Sequence, residues 1–141
     1  NAKALGQALH ERGLDVLCER CGFTESHTIV LDVEEFQGGA KVAKDLEKAN
    51  VILNKNLLPW DSHPVKPSGI RIGSQEVTRV GMKEKEMEYI AEIISRVVVK
   101  GESPESVKPD VVEFKRQFTK VHYCFFDGEE AYDYPSYDGD L

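Results

Sequence analysis

Apolar positions recur along this chain in two periods, one helical and one alternating, and the switches between them mark the elements. Ala4, Leu5, Ala8 and Leu9 fall at helical spacing and predict a helix over residues 2–12, which Gly13 ends. Residues 14–17 read as a short strand and 18–26 as a turn region. His27 to Val33 is apolar and β-branched, so it predicts a strand, paired with the one before it. Gly38-Gly39 breaks the chain. Val42, Ala43, Leu46 and Ala49 then share one face of a predicted helix over 40–49. Val51 to Leu53 reads as a short strand. A long polar segment follows, and then Gly69 to Gly73 as a further strand. Ser74 stands where a helix cap belongs, ahead of Glu76.

The longest regular stripe is Met87, Ile90, Ala91, Ile94, Val97 and Val98, which predicts a helix over 83–98 with acids near its start and Arg96 near its end. Gly101 closes it. Ser103-Pro104 resembles a cap followed by a first-turn proline. A last helix is predicted over 109–119, with Val111, Phe114 and Phe118 inward. The order is helix, two strands, helix, two strands, then two or three helices. It predicts an α/β (α+β) sandwich, in which a small, mostly antiparallel sheet carries helices on one face.

Residues 54–74 hold the chemistry. This stretch opens on Asn54-Lys55-Asn56, crosses a loop containing Pro59, Pro64 and Pro67, and ends on Gly69-Ile70-Arg71-Ile72-Gly73. Strand alternation puts Ile70 and Ile72 on one face and Arg71 on the other. A guanidinium fixed on a strand between glycines suits a carboxylate, gripped by two parallel hydrogen bonds. The plainer reading is an arginine on the solvent face of a half-buried strand, as most arginines are exposed.

Charge narrows the classes. The 141-residue chain has a net charge of −7, yet six of its 25 acids follow Lys120, after which no Lys or Arg occurs. The first 120 residues are therefore close to neutral and offer no basic field for nucleic acid. No apolar run approaches the roughly 18 residues of a membrane helix, and no signal-peptide pattern opens the chain, so the expected compartment is cytoplasmic. The chain starts on Asn1 with helical spacing already under way, which reads as a piece of something longer, cut inside a helix.

Three segments resemble serine hydroxymethyltransferase. In Cys21 to Asp32, Gly22, Thr24, Glu25, His27 and Asp32 fit the family pattern, and Phe23 stands where glycine is usual. Residues 46–51 run into Asn54-Lys55-Asn56 and Pro59. Ser68 to Gly73 continues to Thr78-Arg79 and Gly81. The likeness covers about residues 1–118. It implies the C-terminal small domain of a fold-type-I enzyme that uses pyridoxal phosphate (PLP) and interconverts serine and glycine with tetrahydrofolate or a modified folate. The lysine that carries PLP is implied to lie in a large domain upstream, so no catalytic residue is expected here and no turnover from this piece alone. By resemblance Arg71 binds the amino-acid carboxylate, and Asn56 the pterin ring. The full enzyme is expected to be a homodimer or larger. Asn56 also reads as a turn-former, and the loop of residues 60–67, with Val65 where many members carry an aromatic, departs from the family. His27 matches the family with no assigned role.

Cys18-Glu19-Arg20-Cys21 is a C-x-x-C, and His122 and Cys124 lie far from it in sequence. A zinc set of these four is one reading and a local disulfide another. The reading preferred on compartment grounds is partly buried, reduced thiols with no metal. Residues 119–141 read as an aromatic and acidic tail, partly mobile. Two rivals remain open on sequence: a non-catalytic α/β binding module, metal-stabilised through the cysteines, and the small domain of another fold-type-I PLP transferase.

Overall fold

Alternation along two strands builds the core. Ile29 and Leu31 of one and Ile70 and Ile72 of the other are buried, while the residues between them face away. The computed structural model describes residues 1–122. Its helices are α1 (Ala2–Glu11), α2 (Gly39–Lys48), α3 (Gln75–Arg79), α4 (Glu84–Val98) and α5 (Pro104–Arg116). Its strands are β1 (Asp15–Val16), β2 (Thr28–Asp32), β3 (Asn54–Asn56) and β4 (Gly69–Gly73), and short 3₁₀ turns occupy Glu19–Cys21 and Glu34–Phe36. The sheet order is β1-β2-β4-β3, and every neighbouring pair is antiparallel. The small antiparallel sheet with helices over its apolar face is the predicted α+β architecture.

Packing explains which helices form. Leu5, Ala8 and Leu9 of α1 and Met87, Ala91 and Ile94 of α4 are all buried where those two helices meet. The stripe read from sequence is correct but too narrow: Ile93 and Ser95 of α4 are buried as well, because α1, α2 and α5 all pack against this helix. The Glu86 carboxylate reaches back to accept the Lys83 N–H at 2.8 Å, which fixes the start of α4.

Three boundaries differ from expectation. The final helix begins at Pro104, five residues before the predicted Pro109, which lies inside it. Pro104 occupies the first turn, where a missing N–H costs nothing, and Pro109 is exposed, so its ring stands in water. The strand expected at 51–53 lies three residues later, at 54–56. Val51 and Leu53 pack on the core, but the register of β4 selects the polar triplet: Asn54 pairs with Arg71 and Asn56 with Gly69. Such a polar strand is stable at the edge, where only one side of its backbone must be paired. Ser74 makes no side-chain cap. Its Oγ donates to the His27 carbonyl at 3.1 Å, and Thr78 Oγ1 donates back to the Ser74 carbonyl at 2.8 Å.

Phe23 shows why glycine is the expected residue at its position. Its φ is +68°, a left-handed conformation that a bulky side chain rarely adopts. The ring is buried against Gly6, where an added Cβ would stand 3.0 Å from it, and it lies 5.8 Å from the His10 ring. Core burial offsets the backbone cost. Cys18 and Cys21 are free and exposed, contrary to the expectation of partial burial. The turn Glu19–Cys21 is exposed throughout, and Cys18 itself has φ +62°. Cys124 and the tail from residue 123 on lie outside the described residues.

Arg96 ties α4 to α5 and to the turn between them. Its Nε donates to Glu102 at 2.9 Å and its other nitrogen to Asp110 of α5 at 2.6 Å. The bonds from Asp110 and then Glu102 hold the guanidinium pKa above its ordinary value. Both carboxylates are a third or more exposed, so water screens the pair. Asp110→Asn is expected to cost about 1 kcal/mol. That loss is read as a lower urea midpoint at unchanged slope.

Candidate functional site

The face of the sheet turned away from the helices carries the polar residues. Register places Thr28, Val30 and Asp32 of β2, Gly69, Arg71 and Gly73 of β4, and Asn54 and Asn56 of β3 on that side. Arg71 stands on a central strand, opposite Val30 on one side and Asn54 on the other. Its side chain is exposed and makes no hydrogen bond or ion pair among the described residues. Two hydrogen-bonded neighbours fix its backbone while its five N–H donors stay free, as a carboxylate clamp requires.

Asn56 shares the face and stands diagonally across from Arg71. Diagonal pairs of this kind are roughly 7–8 Å apart. Its Nδ2 donates to the Leu57 carbonyl at 2.7 Å, which orients the amide and leaves its oxygen as an acceptor. This local bond therefore uses only the donor side of the amide.

The glycines of β4 allow close approach. They admit the chain's own side chains. A Cβ on Gly69 would stand 2.6 Å from Leu58 Cδ2, and one on Gly73 would stand 2.3 Å from Gln75 Oε1. Leu58 and Gln75 thus bracket Arg71 along its strand. At Gly69 the backbone is also approached from α2: a Cβ on Gly39 would lie 1.9 Å from the Gly69 carbonyl oxygen.

The loop of residues 57–68 folds back over one end of this face. Trp60 Nε1 donates to Asp32 Oδ2 at 3.0 Å. Asp32 and Asn56 both pair with Gly69, from opposite sides, so the indole and the Asn56 amide stand at the same end of the sheet. Asp61 Oδ2 accepts the Leu58 N–H at 2.8 Å and the Ser68 N–H at 3.0 Å. The Ser68 side chain against it and these two N–H donors hold the Asp61 carboxyl below its ordinary range. Ser68 Oγ is buried and makes no hydrogen bond of good geometry.

A family model described as serine hydroxymethyltransferase matches residues 1–94. The chain belongs to the serine hydroxymethyltransferase family. It is 54% identical over 136 residues to the serine hydroxymethyltransferase of Methanocaldococcus jannaschii, covering 92% of this chain and 32% of that protein. Identity to the Methanopyrus kandleri enzyme is 55% over 137 residues, covering 96% of this chain and 32% of the relative. Against Pyrobaculum calidifontis it is 56% over 125 residues, covering 89% and 29%. The chain thus spans about a third of the length of these relatives. Among solved structures, an L-threonine transaldolase from Pseudomonas fluorescens superposes with a TM-score of 0.71 at 35% identity, covering 84% of this chain and 26% of that one.

The structure brings the expected residues Arg71 and Asn56 onto one face beside Asn54 of the same motif, and borders them with Asp61 and Gln75, which the sequence did not single out. Asn54 becomes visible only once the register sets it opposite Arg71. Asp61 had a usable signal, since an aspartate in a proline- and serine-containing loop commonly accepts backbone N–H groups. His27 is exposed, and its carbonyl, not its ring, does the bonding: it accepts both the N–H and the hydroxyl of Ser74. Among the described residues no group of three or more metal-ligating side chains comes together, and no helix is long and apolar enough to cross a membrane.

Proposed function

We propose that this chain is the C-terminal small domain, over about residues 1–118, of a PLP-dependent glycine hydroxymethyltransferase. Its open sheet face binds the amino acid and part of a reduced folate. The observation that carries this reading is the uncommitted Arg71 guanidinium on a central strand, diagonal to the Asn56 amide. No sheet residue on that face is a lysine. The face suits the substrate's carboxylate, and the family resemblance assigns the covalent tie to PLP to a large domain.

PLP, when bound, supplies the electron sink for the bond that breaks at the amino-acid α-carbon. This chain contributes orientation. Two parallel hydrogen bonds from Arg71 to the carboxylate prevent rotation of the substrate and hold the breaking bond in a fixed direction. Asn56 offers an amide donor and acceptor, which match the edge of a pterin ring. The substrates on this reading are serine and glycine with tetrahydrofolate or a modified folate. The partners are the large domain of the same polypeptide and a second copy in a dimer, and the setting is the cytoplasm.

The test uses the full-length enzyme. Loaded with PLP, it is expected to show the cofactor's absorbance near the visible edge. Glycine and tetrahydrofolate together are expected to raise a new long-wavelength band that neither raises fully alone. A protein that holds PLP and ignores the folate would remove hydroxymethyl transfer. Another fold-type-I transferase would then be the better reading, in keeping with the transaldolase likeness.

A further inference from the structure

We propose that Asp61 is a positioning residue for both halves of this face, an inference that rests on the proposed function. The loop it belongs to joins the two strands that carry the ligand-binding side chains. Asn56 ends β3, Gly69 begins β4, and these two residues form the terminal pair of their ladder. Beyond that pair the strands part, and no further ladder bond holds them. One carboxylate oxygen of Asp61 takes over there, accepting the N–H of Leu58 on one side and of Ser68 on the other. The ladder is in effect extended by one side-chain bridge.

The two ends of the loop are not equally anchored without it. On the β4 side the Ser68 carbonyl accepts the Val33 N–H at 2.9 Å, and the Pro67 carbonyl accepts the Gly39 N–H at 2.8 Å. That side is tied to the ends of β2 and α2. On the β3 side, Leu58 is fixed by the Asp61 carboxylate, by the turn in which the Asp61 N–H donates to the Leu58 carbonyl at 3.0 Å, and by its side chain over Gly69. Asp61 thus transfers the rigidity of the anchored end to the edge strand. Leu58 lies two residues from Asn56, and Ser68 lies three from Arg71. A shift of either end changes the spacing between amide and guanidinium, and that spacing is what a substrate pair bound side by side must match.

Aspartate suits the task and alanine does not. A short charged acceptor satisfies two N–H groups at once, one of them on buried Ser68. Asparagine keeps one oxygen able to accept both, without the charge.

The test compares Asp61→Ala, Asp61→Asn and Val107→Ala in the full-length, PLP-loaded enzyme. Val107 is fully buried in α5, outside the sheet, so its variant controls for lost stability alone. The readouts are the glycine Kd, the tetrahydrofolate Kd and the thermal midpoint. Asp61→Ala is expected to weaken both ligands by about tenfold or more, each tenfold being about 1.4 kcal/mol. Asp61→Asn is expected to recover most of that loss, and Val107→Ala to lower the midpoint and leave both Kd values in place. Wild-type Kd values in Asp61→Ala, or losses no larger than those of Val107→Ala, overturn the inference. If the wild type holds glycine but not tetrahydrofolate, the pterin reading fails, and the glycine Kd alone decides the role of Asp61. If the wild type holds neither, the functional reading and this inference fall together.

Discussion

Arg71→Lys in the full-length enzyme is expected to lower kcat/KM for serine by about 10²–10⁴-fold, nearly as much as Arg71→Ala. The magnitude reflects the geometry. A carboxylate held by a guanidinium makes two charge-assisted hydrogen bonds, each worth roughly 1.5–3 kcal/mol. Lysine keeps the charge but replaces the planar fork with a single mobile ammonium, so the second bond and the fixed orientation are lost. The structure sharpens the contrast. Arg71 is bracketed along its strand by Leu58 and Gln75, which fill the positions opened by Gly69 and Gly73. A lysine there has a flexible stem and no neighbour shown to direct its tip. Steady-state kinetics on both variants, with PLP absorbance checked, make the measurement. Near-wild-type efficiency in the lysine variant would remove the clamp.

Gly39→Ala is expected to cost about 3 kcal/mol or more of domain stability and to weaken amino-acid binding as well. The first turn of α2 lies so close to the start of β4 that the added methyl would stand 1.9 Å from the Gly69 carbonyl oxygen and 2.8 Å from its carbon. Both neighbours are backbone, which cannot swing aside as a flexible side chain can. Relief requires moving the helix or the strand. The Gly39 N–H bond to Pro67 and the β2 and β3 ladders on either side of Gly69 resist that movement. Urea unfolding gives the stability loss, and glycine titration of the loaded enzyme gives the affinity. A variant with an unchanged midpoint would show that the approach of α2 to β4 is softer than this packing implies. The effect on binding arises because Gly69 pairs with Asn56 and lies two residues from Arg71.

What could be read from the chain alone divides along physical lines. Helix α4 was legible because its apolar stripe is long and unbroken, and helical period survives small errors of boundary. Strand β4 was legible because Ile70 and Ile72 alternate with Arg71 between glycines. Strand β3 was misplaced because local apolarity favours 51–53, whereas the pairing partner decides where an edge strand lies, and that partner is 13 or more residues away in sequence. The start of α5 was set too late, at Pro109, although the cap and first-turn proline read at Ser103-Pro104 are where the helix begins. Arg71 and Asn56 came from residue identity and resemblance. Their shared face, the Trp60–Asp32 bond and the Asp61 bridge depend on register and loop closure, which no window of sequence contains.

The strand order has a consequence for when, and how firmly, each half of the site exists. Residues 28 and 73, at one end of the β2–β4 ladder, are 45 positions apart, so Arg71 reaches its place only after a long chain segment has closed. Once there, its strand has a neighbour on each side, and the place of its side chain is lost only when β2 and β4 separate. Asn56 belongs to a three-residue edge strand with one neighbour and frays by itself, at far smaller cost. The β3 edge of the face therefore opens and recloses many times within one lifetime of the folded domain, while the β2–β4 centre stays paired.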